Sequence, residues 1–146
     1  MNSNALLSKV NTLYLITLIA AIIESVLLIP VIGGVIVVST LWFPLIALIG
    51  LYIAGLVIVS QAETTGGSDR YATELSTAKT KYIVGIACAA IAFIPFIGWI
   101  LHIVMAVMMW LQFVTWTNIK EKLSKDNIIA DVKAEDVKSD DDKEAK

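Results

Sequence analysis

The sequence predicts an all-α integral membrane protein: four transmembrane helices arranged as two helical hairpins, with a disordered C-terminal tail. Three observations predict it. Of 146 residues, 58% are apolar and 16% are charged, against about 25% charged in an ordinary soluble domain; the mean hydropathy of +0.80 agrees. The charges are segregated, with Glu24 alone in residues 10–61 and none in residues 82–119. Proline–glycine clusters interrupt both apolar stretches, as turns between spans do. This pattern excludes a disordered chain, a coiled coil and most soluble enzymes.

Residues 1–9 form a short polar lead. The first span is 10–29, which at about 1.5 Å per residue covers the roughly 30 Å of a hydrocarbon core. It is longer than the apolar region of a signal peptide (about 7–15 residues) and no small-x-small site follows it, so it reads as a retained helix. Pro30, Gly33 and Gly34 mark the first turn, because proline lacks a backbone donor and glycine tolerates tight bends. The second span, 35–60, exceeds the bilayer and is expected to tilt or kink at Pro44.

Residues 61–75 form the polar loop, with a flexible tip at 64–69. The third span is 76–94, with Lys79 and Lys81 reaching back to the headgroups. Pro95 and Gly98 mark the second turn, and the fourth span is 97–117. Residues 120–146 hold seven Lys and nine Asp or Glu, too few apolar groups to offset chain entropy, so a largely disordered tail is expected. Lys9, Arg70, Lys79, Lys81, Lys120, Lys122 and Lys125 all fall on one side of such a bundle. The positive-inside rule then makes both termini cytoplasmic. Trp99 and Trp116 are expected at opposite interfaces. Ile29-Pro30-Val31-Ile32-Gly33 and Ile94-Pro95-Phe96-Ile97-Gly98 match at four of five positions, one at each turn. Duplication of a hairpin and the ordinary need for Pro and Gly at membrane turns both account for the match.

Few residues can carry chemistry. Glu24 is an acid within a span, a costly placement that makes it a candidate functional group. His102 is the only histidine. Counted from the two turns, Glu24, His102, Ser39 and Thr40 fall at similar depth, a polar layer able to serve as a proton or ion site or to fix helix register. Gly50 with Ala54, and Gly85 with Ala89, have the small-x-x-x-small spacing of close helix contacts. There is no zinc-protease, nucleophile-elbow or phosphate-loop motif. One cysteine, Cys88, makes neither an internal disulfide nor a thiolate zinc site. No catalytic residue, metal or cofactor is expected, and no basic aromatic cluster suggests nucleic acid.

The expected function is that of a small multi-pass membrane protein acting non-enzymatically through helix–helix contacts, as an accessory, scaffold or immunity-type protein. The alternative is an oligomeric proton- or ion-conducting or holin-like pore using Glu24. Its partners would be the lipid bilayer and a homo-oligomer or another membrane protein. The short turns point to a bacterial cell membrane or a viral membrane.

Overall fold

The structure is a computed structural model that describes residues 3–94 and 96–144. Those residues form helices α1 (Ser3–Leu27), α2 (Pro30–Ser39) and α3 (Phe43–Glu63), a 3-10 turn at Ser68–Tyr71, then α4 (Ala72–Ile91) and α5 (Ile97–Glu144). No strand occurs among them. Three helices are long and apolar enough to cross a membrane: Asn4–Leu27, Phe43–Glu63 and the Ile97–Ala130 part of α5. α4 carries Glu74, Lys79 and Lys81, which lower its hydropathy.

Most buried positions on the long helices follow one rule, with Ala21 and Ala106 buried beside the seam. On α1 they include Leu6, Val10, Leu13, Thr17, Ala20, Glu24 and Leu27; on α5 they include His102, Met105, Met109, Gln112, Trp116, Ile119 and Leu123. On α3 they are Leu45, Leu48, Tyr52, Gly55, Val59 and Ala62, and on α4 Leu75, Ala78, Tyr82, Gly85 and Ala89. Each series steps by three and four in turn, the seven-residue spacing of a seam between packed helices. Opposite faces are equally apolar but exposed, as at Leu15, Ile19, Ile22, Ile53, Val57, Val107 and Leu111. Polarity therefore cannot mark the buried face, because a lipid-facing surface is as apolar as the core.

α1 packs most extensively on α5, α3 on α4, and α1 also on α3. Lys9 Nζ donates to Gln61 Oε1 at 3.0 Å, Lys79 pairs with Glu63 at 2.8 Å and Asn127 Nδ2 donates to Asn4 Oδ1 at 2.8 Å. Arg70 pairs with Asp126 beside them. The start of α1, the end of α3, the start of α4 and the middle of α5 thus share one charged end. The other end is apolar.

That apolar end departs from the sequence reading. Gly33 and Gly34 lie inside α2, with Pro30 at its first turn, and Gly98 lies in the first turn of α5; none forms a loop. Pro95 falls outside the described residues. The second predicted span, 35–60, is two helices broken at residues 40–42, where Leu41 and Trp42 take positive φ of 51° and 60°. The break precedes Pro44, whose missing N–H suits the start of α3 rather than a kink within a longer helix.

The two I-P-x-I-G segments make similar corners. Gly33 N donates to Ile29 O and Gly98 N to Ile94 O. A Cβ on Gly33 would meet Leu27 O at 2.3 Å, and one on Gly98 would meet Ala92 O at 2.4 Å. Each glycine lets a new helix start against the last carbonyls of the one before it. The corners differ at their third residue: Phe96 has φ 67°, whereas Val31 is already helical.

The tail also differs from expectation. α5 remains helical to Glu144. A helix already nucleated in the bundle propagates without a new nucleation cost. Lys, Glu and Ala favour helix, and Glu121 and Lys125 form an i,i+4 pair at 2.7 Å.

The glycine corners can be tested by substitution. Gly33→Ala and Gly98→Ala each place a methyl group against backbone and should destabilise the protein by about 1–3 kcal/mol. Gly34 and Gly50 have no atom within 4 Å of an added Cβ, so their alanine variants should fall within about 1 kcal/mol of wild type, on the stabilising side. Reversible unfolding in mixed detergent micelles measures both.

Candidate functional site

Most interior polar groups of the long helices fall into two layers. In the first, Glu24 of α1 is 1% exposed and His102 of α5 is 6% exposed. The Tyr52 hydroxyl donates to Glu24 Oε1, and His102 Nδ1 lies 2.5 Å from Glu24 Oε2. Each carboxylate oxygen thus has its own partner, and the two partners come from different helices. With Tyr52 donating to one oxygen, the other is free to accept from His102 Nδ1–H, which sets the orientation of the ring.

The second layer lies one heptad along α1. Thr17 Oγ1 is 2.8 Å from Tyr82 Oη and accepts a hydrogen bond from Trp116 Nε1 at 3.1 Å. This layer joins α1, α4 and α5. Trp116 is fully buried, so it is not the interfacial tryptophan the sequence suggested; it occupies a seam position, and Thr17 satisfies its N–H. Outside the layers, Trp99 Nε1 donates to Leu28 O just past the end of α1, and Trp110 Nε1 donates to Ser25 Oγ at 3.0 Å.

The tyrosines are held by a reciprocal fit. Residues 52–55 read Tyr-Ile-Ala-Gly and residues 82–85 read Tyr-Ile-Val-Gly. A Cβ on Gly55 would meet the Tyr82 ring at 2.7 Å, and one on Gly85 would meet the Tyr52 ring and Met105 Cε at 3.0 Å. Each helix gives its glycine to the other helix's tyrosine. That fit carries one hydroxyl to Glu24 and the other to Thr17.

Other sequence candidates lie elsewhere. Ser39 and Thr40 hydroxyls donate to Ile36 O of their own helix and are exposed. They belong to the end of α2, because the chain breaks there instead of running on as one span, and they do not reach Glu24. Gly85 and Ala89 lie on the α4 seam, but Gly50 faces outward and Ala54 is half-buried. The seven-residue register puts Gly55, not Gly50, at the contact. Sequence reasoning passed over Tyr52, Tyr82, Thr17 and Gln112. The repeated Tyr-Ile-x-Gly was the available signal.

Gln112 is buried on α5 between the two layers, and its Nε2 has no partner. A buried unpaired amide costs about 1–3 kcal/mol. No group of three or more His, Cys, Asp or Glu suited to a metal gathers among the described residues. The chemistry available is hydrogen bonding and a carboxylate–imidazole pair. The fold and site together define an all-helical chain with three membrane-capable helices and a buried polar interior. No family model, curated protein or solved structure matches the chain.

Two outcomes follow. His102→Leu leaves one oxygen of the buried Glu24 carboxylate without its partner and should cost about 3–5 kcal/mol, whereas Glu24→Met with Tyr52→Phe and His102→Leu removes all three polar groups and should recover most of that loss. Gln112→Met keeps volume and removes the unpaired amide, so it should be neutral or stabilise by about 1 kcal/mol or more. Unfolding midpoints of the purified variants in one detergent decide both.

Proposed function

We propose that this chain is a four-span, multi-pass membrane bundle of two helical hairpins that acts non-enzymatically, through contacts of its outer helix faces within the bilayer. α4 is taken as the fourth span because its seam residues pack with α3 while Tyr82 reaches Thr17 of α1. A helix that shares the core of three membrane-crossing helices has no route around the bilayer. Lys79 meets Glu63 and Lys9 meets Gln61 at the charged end, which the positive-inside rule assigns to the cytoplasm together with both termini. A bacterial or viral membrane remains the proposed setting.

The observation that carries this reading is the closure of the interior polar layers. Both Glu24 oxygens are occupied by partners from the same chain, so the carboxylate faces protein rather than an aqueous lumen. Such a layer fixes helix register. The exposed faces are apolar, leaving lipid and other apolar helices as the surfaces they can meet. Accessory, scaffold and immunity-type roles all use such contacts, with another membrane protein or a second copy of this chain.

Proton and ion flux through proteoliposomes tests the reading against the pore alternative. Wild type and Glu24→Gln should both be tight. A leak in the wild type that Glu24→Gln removes would place the carboxylate on a conducting path and overturn the proposal.

A further inference from the structure

At the apolar end of the bundle is a cavity of about 400 Å³, within the size range of small-molecule pockets. Leu27, Val37, Trp42, Phe93 and Trp99 contribute to its wall, and His102 is its charge-capable lining residue. α2 closes one side, and Trp42 stacks on Phe93 with ring centroids 6.5 Å apart. The rim residues Val38, Trp42 and Phe96 are themselves exposed, so the mouth is apolar.

His102 is more than nine-tenths buried, with Nδ1 engaged by Glu24. Its Nε2 has no hydrogen-bond partner among the described residues, yet it is not one of the fully enclosed orphan atoms. His102 is also one of the residues that line the cavity, the open space at this end of the bundle. A buried imidazole with one nitrogen clamped and the other free is a preorganised anchor for one polar atom.

We infer that this cavity binds a lipid-soluble alcohol, with the apolar body among the side chains of α2, α5 and the corner between α4 and α5, and the hydroxyl on His102 Nε2. A hydroxyl both donates and accepts, so it pairs with Nε2 whether that nitrogen carries a lone pair or a proton. A hydrocarbon would leave Nε2 unpaired. A strongly polar headgroup would meet an almost wholly apolar wall. The apolar mouth admits such a ligand from the bilayer. This goes beyond the proposed function and is independent of whether the bundle conducts.

Bromoundecanol tests the inference, because bromine quenches tryptophan at short range and Trp42 and Trp99 both line the cavity. Bromoundecane, which lacks the hydroxyl, is the control. In wild-type protein in nanodiscs, the alcohol should quench saturably at about tenfold lower concentration than the alkane, the difference one hydrogen bond makes. Gly34 lines the cavity and has open space around an added Cβ, so Gly34→Phe should fill it without touching the core and abolish the saturable quenching. Equal quenching by the two compounds in the wild type removes the His102 anchor and overturns the inference. Saturable quenching that survives Gly34→Phe in a folded variant also overturns it, since the ligand then sits elsewhere.

Discussion

The burial of the Glu24 carboxylate is the constraint on which the rest of the bundle depends. An ionisable group in a low-dielectric interior is tolerated only when its oxygens are paired. Here one oxygen takes the Tyr52 hydroxyl and the other the His102 imidazole. Those contacts tie α1 to α3 and α5 at one depth. A slide of any of these helices by one turn would separate the partners by about 5.4 Å. Helices that are apolar all round have little else to fix their axial register, so a single acid supplies information that the many Leu, Ile and Val residues cannot.

The second layer completes the set. Thr17, Tyr82 and Trp116 bring in α4, one heptad from Glu24 along α1. Close packing and hydrogen bonding are coupled at the two tyrosines. Gly55 makes room for the Tyr82 ring and Gly85 for the Tyr52 ring, and each ring then delivers its hydroxyl to a layer. Interhelical hydrogen bonds in membranes average only about 0.6 kcal/mol. The layers therefore contribute specificity more than stability, and close packing at the glycines supplies much of the cohesion.

The two ends of the bundle are unlike. One carries the ion pairs and the turn into α4. The other has the I-P-x-I-G corners, three non-glycine residues at positive φ among the described residues, and the short helix α2, of which only Gly33 is buried. Left-handed φ at a residue with a side chain costs roughly 1–2 kcal/mol. That strain sits beside the cavity that His102 lines, so the strained backbone and the one free imidazole nitrogen share an end.

The sequence by itself determined the helical class, the apolar stretches able to cross a membrane, and the segregation of charge, because these follow from composition along the chain. It also singled out Glu24 and His102, since an isolated acid and a lone histidine stand out against an apolar background. It could not determine which face of each helix is buried, because lipid and core demand the same side chains. For the same reason it favoured Gly50 over Gly55, set Ser39 and Thr40 level with Glu24, and put Trp116 at an interface. It took Gly33, Gly34 and Gly98 as loop residues, because a glycine that permits helix-to-carbonyl approach looks the same in sequence as one that permits a turn. The tertiary structure decided those points through the three-four seam register and the break at residues 40–42. Both depend on how helices meet across the bundle, which spacing along one chain does not encode.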